Sequence, residues 1–259
     1  MKYIYVLLTL QVLVSCERRA EIPCIPDNLS DYVMAFYPFT NQTLNDFSGN
    51  NHSLINIGSS VSVKDRKGNA NCAYRFNGTP NQFLSRDGSF INDFKTKSFS
   101  ISLWYQPIDG KNERQILFAK GEKGMTSCGR LLIEEWFIVL YDCERVIFYI
   151  DKKAQRDDFP ILWQDPQVIE KCEEEVKLYD NKWHHLVVTY EKDKLGLYRN
   201  GVKSKNIIQN WNCNPISENQ GDIFIGKDLF GDIDDIIIFE KALNDNEVKE
   251  LFNMEPCCI

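Results

Sequence analysis

Residues 183–201 read WHHLVVTYEKDKLGLYRNG, and this stretch decides the fold. Residues 183–190 are rich in β-branched and aromatic side chains, which predicts a strand. The charged group Glu191-Lys192-Asp193-Lys194 breaks the apolar run. Leu195, Leu197 and Arg199 then alternate with Gly196, Tyr198 and Asn200, predicting a second strand. Asn200-Gly201 supplies the two positive-φ residues that a type I′ hairpin turn requires. A third run follows over 202–208. Three antiparallel strands in a meander therefore sit near the middle of an all-β chain.

Working outward, Phe99, Ile101, Leu103 and Tyr105 alternate with Ser98, Ser100, Ser102 and Trp104. The first set is expected to face a core, and Trp104 the opposite face with three serines. Further strands are predicted over 32–39 (near a sheet edge, because Pro38 lies in it), 61–63, 73–76, 82–84, 116–119, 222–226 and 232–239. Residues 131–139 and 146–150 read as a pair. The isoleucines of 232–239 fall on both parities, so both faces of that strand should be covered. One helix is predicted after Asn244: Asn244 caps it, Glu247 completes a capping box, and Leu243 with Val248 forms the staple. Residues 152–180, more polar and holding Pro160 and Pro166, read as an insertion.

The chain has 259 residues and a net charge of −7. That length suits a single large β sandwich, and nothing in the charge resembles a footprint for nucleic acid. Residues 3–14 form an apolar run too short to span a bilayer, which suits a signal-peptide core over residues 1–15. Leu13-Val14-Ser15-Cys16 resembles a bacterial lipobox, which implies lipidation of Cys16 and a place in the cell envelope, at the outer membrane. Residues 16–30 then read as a tether, and 31–259 as the folded domain. With Cys16 set aside, eight cysteines remain, an even number that suggests disulfides in an exported chain but allows on the order of a hundred pairings. Cys128 and Cys143 flank the predicted hairpin, where closing the loop would contribute about 3 kcal/mol.

The central WHHLVVTY, its charged turn and L-Y-x-N-G resemble the signature of laminin-G-like domains in the concanavalin A-like lectin/glucanase superfamily. Five further pieces fall in that family's order: Tyr37-Pro38-Phe39 with residues 45–50, residues 65–69 before 73–78, residues 98–107, residues 231–235, and Ala242-Leu243 with a short final helix. The resemblance covers about residues 30 to 253. It implies a two-sheet antiparallel jelly-roll sandwich. It also implies neighbouring termini, so that Cys24 would pair with Cys257 or Cys258.

The same resemblance implies one structural calcium, held by an oxygen-rich loop carrying Asp46, Ser48, Asn50 and His52 together with Asp234. His52 would give its carbonyl. The bland alternative for that loop is an Asx-turn, with Asp46 capping backbone N–H groups. For a sugar platform the candidate indoles are Trp104, expected on the concave sheet face, with Trp136, Trp163 and Trp211; Trp183 reads as structural. The glucanase pattern of two glutamates on one strand is missing. Glu134-Glu135 and Glu173-Glu174-Glu175 have the wrong spacing, since strand neighbours point to opposite faces. His184 and His185 should likewise diverge, so neither a metal nor a catalytic pair is expected. The expectation is therefore a non-catalytic surface lipoprotein that binds a glycan. The alternative is a protein-interaction or structural subunit of a surface assembly, with membrane contact through lipid alone.

Overall fold

Alternating apolar side chains build two layers. The computed structural model describes residues 22–108, 114–121, 124–125, 131–132, 136–141, 145–150, 153–156, 180–192, 194–204, 208–210 and 221–259. In chain order, helix α1 (Asp27–Ser30) precedes strands β1 (Val33–Tyr37), β2 (Ile55–Ile57), β3 (Val61–Val63), β4 (Ala73–Asn77) and β5 (Phe83–Arg86). Next come β6 (Phe99–Pro107), β7 (Arg114–Lys120), β8 (Gly124–Met125), β9 (Leu131–Leu132), β10 (Trp136–Tyr141), β11 (Arg145–Ile150) and β12 (Lys153–Arg156). The chain continues through β13 (His184–Glu191), β14 (Lys194–Arg199), β15 (Val202–Lys203), β16 (Ile208–Asn210), β17 (Ile223–Ile225), β18 (Phe230–Phe239) and helix α2 (Asp245–Phe252).

The first sheet has the order β15-β14-β13-β6-β18-β4-β3, with β1 paired to the far half of β18; the second runs β16-β12-β11-β10-β7-β17-β5-β2. All pairings between described strands are antiparallel. This is the expected all-β sandwich, with its meander of β13, β14 and β15 turning through Asn200 and Gly201 at φ 51° and 75°. Phe99, Ile101, Leu103 and Tyr105 meet Leu84, Phe118, Ile138, Phe148 and Ile225 in the core between the sheets.

A second apolar cluster lies on the outer face of the first sheet. Val187, Tyr198, Ile237 and Phe239 are covered there by Leu243, Val248 and Leu251 from α2 and by Ile22, Ile25 and Leu29 from the N-terminal segment. Burying such side chains contributes about 1.5–3 kcal/mol each. The Asn244 side chain accepts from the amides of Asn246 and Glu247, and Glu247 closes the box on the Asn244 amide. Both faces of β18 are thus covered, as its isoleucines require. Residues assigned to the tether are part of the packed body: Cys24 is bonded to Cys257, and Ile22, Ile25 and Leu29 are buried. Four strands escaped the sequence reading: β2, exposed along its length; the two-residue β8; β16; and β12, which lies within the expected insertion.

The late strand is bent at one place. Asp235 is left-handed (φ 43°), and the β18–β6 register shifts between Asp234 and Ile237. A bulge places one extra residue on its strand, so two consecutive carboxylates reach the outer face. Both meet one guanidinium: Arg66 Nη1 is 3.1 Å from Asp234 and 2.6 Å from Asp235. Arg66 also donates to the Met254 carbonyl and lies 4.4 Å from the centre of the Trp104 ring. The Cys257 amide donates to Asp235. Burial pushes both carboxyls above the usual range, and the guanidinium opposes it. The C-terminal residues are tied down again by the Cys24–Cys257 and Cys72–Cys258 bridges and by Thr40, which donates to the Cys257 carbonyl.

Two outcomes follow from this clamp. Removing either bridge is expected to lower the unfolding free energy by about 2–5 kcal/mol, read from the denaturant midpoint, and non-reducing peptide mapping should recover both linkages; a peptide joining Cys24 to Cys258 would contradict the structure. Arg66→Ala strands two buried carboxylates and should cost about 3–5 kcal/mol, whereas a loss below about 1 kcal/mol would remove the guanidinium from its assigned role.

Candidate recognition surface

The outer face of the second sheet is set by strand register. Leu84, Ile225, Phe118, Ile138 and Phe148 are in-register partners that point into the core. The neighbouring row, Ile55, Ser85, Phe224 and Ala119, therefore lies on the other face. Phe83 shares that face and pairs with Ile57. The Phe83 and Phe224 rings are half-buried and meet edge to face at 5.5 Å. The Lys227 ammonium lies 5.7 Å and 5.2 Å from the two ring centres. Beside it, Asp228 is left-handed (φ 61°), and burial raises its carboxyl against the pull of Lys227 and Arg114. Ile55 and Ile57, 57% and 36% exposed, extend the apolar surface to the sheet edge. Flat rings with a cation and a carboxyl beside them can stack on an apolar sugar face and bond its polar rim. The signal for this surface was the alternation of 82–84 and 222–226, which marks Phe83 and Phe224 as outward. The sequence reading weighed tryptophans only and passed over them.

The predicted residues are dispersed. Trp104 points away from the core, as the serines beside it implied, but it does not form an open platform. It is stacked on Phe252 of α2 at 5.8 Å and lies under Arg66. Trp136 starts β10, in register with Lys120 and Ile150; its side chain lies outside the described residues, as do Trp163, Trp211, Cys16, Cys128 and Cys143. Cys24 pairs with Cys257, one of the two alternatives expected. The bridge between Cys72 and Cys258 was not anticipated.

The calcium set is divided. One Asp46 oxygen accepts from the amides of Phe36 and Ser48, and the other from that of His52. Asn50 donates to the carbonyls of Val33 and Met34, and the His52 carbonyl accepts from Tyr37 at 2.7 Å. Asp234 is held by Arg66. Calcium requires six to eight oxygens converging on one point. These donors are committed to the loop's own backbone and to a guanidinium, which is the Asx-turn arrangement, so they do not fit the ion. Asp65 comes close to Cys72 and Cys258, but the disulfide leaves neither sulfur as a thiolate ligand.

The two histidines diverge, as strand alternation requires. His184 packs against Tyr105 and bonds Asp180 and Asn200. His185 lies on the other face, where its Nε2 is 2.8 Å from Ser102 Oγ. That serine–histidine contact, like the Asp180 carboxylate beside His184, was not anticipated. Ser102 and His185 are buried beneath Trp104 and Phe252, and among the described residues His185 Nδ1 has no hydrogen-bond partner. Burial, aided by Arg66, lowers the imidazole to about 3. A base needs an orienting acid and access to substrate, and this contact has neither.

Comparison with known proteins agrees with this architecture. No curated protein matches the chain in sequence. Among solved structures, the binding domain of Paraclostridial Mosquitocidal Protein 1 is similar, with a TM-score of 0.61 and 21% identity over 86% of this chain and 52% of that one. A botulinum neurotoxin serotype D ligand binding domain in complex with N-acetylneuraminic acid has a TM-score of 0.59 and 14% identity, covering 87% of this chain and 51% of its own. The botulinum neurotoxin type G receptor binding domain gives 0.56 and 18%, covering 85% and 51%. The chain thus spans about half the length of these structures, and the likeness is one of fold. A family model described as the concanavalin A-like lectin/glucanases superfamily matches residues 78–249. With that match over most of the sandwich, the chain belongs to the laminin-G-like branch of the concanavalin A-like lectin/glucanases superfamily.

Proposed function

We propose that this protein is a non-catalytic recognition lipoprotein that binds carbohydrate on the outer face of its second sheet. The carrying observation is the half-buried Phe83–Phe224 pair with the Lys227 ammonium beside both rings. The superfamily and the fold neighbours add support, since several neighbours are receptor- or ligand-binding domains. Fold alone does not carry function, so the weight rests on the rings. A second reading, docking of a protein partner, is favoured by the exposed Ile55 and Ile57 on the edge strand β2. In this reading, lipid at Cys16 is the anchor. Ile22 is packed against the domain, so a chain of six residues from Cys16 to it could reach no more than about 20 Å and would hold the domain near the bilayer.

A glycan array probed with the purified chain is the test. Phe224→Ala and Lys227→Ala should each weaken the strongest glycan at least tenfold (about 1.4 kcal/mol) while leaving the melting curve unchanged. Equal binding by both variants would sink the assignment of this face, and a stable protein partner with no glycan bound would favour the second reading. For the anchor, Cys16→Ala is expected to abolish incorporation of a labelled fatty acid in a bacterial host; label retained on the variant would refute lipidation there.

A further inference from the structure

The opposite side of the molecule carries a second row of outward side chains, outside the clusters that α2 and Arg66 cover. Gln106 of β6 is in register with Asp232 of β18, Asp232 with Arg75 of β4, and Arg75 with Val61 of β3. His184 pairs with Tyr105, so Trp183 stands opposite Gln106 one step further along. By alternation these residues share the outer face of the first sheet, one step beyond the row that Arg66 and α2 cover. Across four adjacent strands the row spans about 14 Å.

Trp183 and Gln106 are half-buried, and the Arg75 side chain is 48% exposed. Arg75 is aimed by a bidentate pair: Nε and Nη2 each lie 2.7 Å from an oxygen of Asp232, which is itself buried. That leaves Arg75 Nη1. Gln106 Nε2 donates to the Asn181 carbonyl at 2.7 Å, which fixes the amide and leaves its oxygen. Among the described residues neither group has a further partner, and the Trp183 indole N–H has none. The row therefore offers a ring, a held amide oxygen and two N–H donors on a rigid sheet.

Its charges cancel. Asp232 balances Arg75, and Lys182 lies 3.8 Å from Asp180. An anionic ligand would find no net attraction here, whereas hydroxyl groups would find both donors and an acceptor. We infer that Trp183, Gln106 and Arg75 form a separate binding site for a neutral saccharide chain, on the sheet opposite the Phe83–Phe224 surface. Trp183 stacks on a sugar ring, while Gln106 and Arg75 bond its hydroxyls.

The test titrates the purified chain with laminarin, dextran and mannan as neutral probes and with hyaluronan as the anionic one, following tryptophan fluorescence and heat. At least one neutral probe should bind, and Gln106→Ala and Trp183→Ala should each weaken it tenfold or more at an unchanged melting temperature. Val202→Ala, at a 70% exposed residue on the edge strand β15 outside both surfaces, should leave that binding intact. Should Trp183→Ala fail to fold, Trp183→Phe, which keeps a ring and removes the N–H, is read with Gln106→Ala instead. The inference is overturned if no neutral probe binds, if the row variants bind like the parent chain, or if Phe224→Ala alone removes binding.

Discussion

One buried cation holds together parts of the chain that are far apart in sequence. The Arg66 guanidinium joins the loop before β4 to the bulge of β18, to the carbonyl that follows α2 and to the Trp104 ring. Two adjacent carboxylates cannot share a partner on a regular strand, because their side chains diverge. The left-handed residue Asp235 makes the sharing possible. The arrangement is costly in isolation: buried charges lose hydration, and their attraction only offsets that loss when geometry and hydrogen bonds are complete. Here the Asp235 amide and the Cys257 amide supply part of that completion. One oxygen, Asp235 Oδ1, has no hydrogen-bond partner among the described residues. The node therefore contributes specificity of assembly more than net stability. The two disulfides and the apolar cluster under α2 hold the same edge.

Much of this was legible in the residues. The period-two alternation of 98–105 placed Phe99, Ile101, Leu103 and Tyr105 in the core, because a strand buried on one face has no other way to divide its side chains. Asn200-Gly201 marked the hairpin, and Asn244 with Glu247 marked the helix start, because both depend on local backbone chemistry. What stayed hidden was long-range. Nothing local to Asp234 and Asp235 signals a bulge, and nothing local to Arg66 names its partners some 170 residues away. Trp104 was placed on the correct face, but the covering helix is a tertiary fact. Cys257 and Cys258 are adjacent, so pattern alone could not tell which takes Cys24. The loop at Asp46 was legible as oxygen-rich, while the direction of its oxygens, inward to three amides, was not.

The two faces divide the work. On the first sheet, α2 and the N-terminal segment cover one half, and a charge-balanced row with Trp183 lies beyond them. On the second, aromatic rings and a lysine lie next to an apolar edge. Each surface stands on in-register strands, so the side chains are presented on a rigid backbone and little ordering is needed on binding. The role proposed for both is that of holding a ligand. The buried Ser102–His185 contact belongs to the packing beneath α2.

The central claim is that Arg66 supplies from within the positive charge that a bound cation would otherwise bring to the late strand. Thermal unfolding with a chelator and then with calcium tests it most directly. An ion bound at a hundredfold excess over its dissociation constant would add about 2.7 kcal/mol, a rise of roughly 5–10 °C for a domain of this size. The account predicts superimposable curves in the two conditions; a calcium-dependent rise of that order would contradict it.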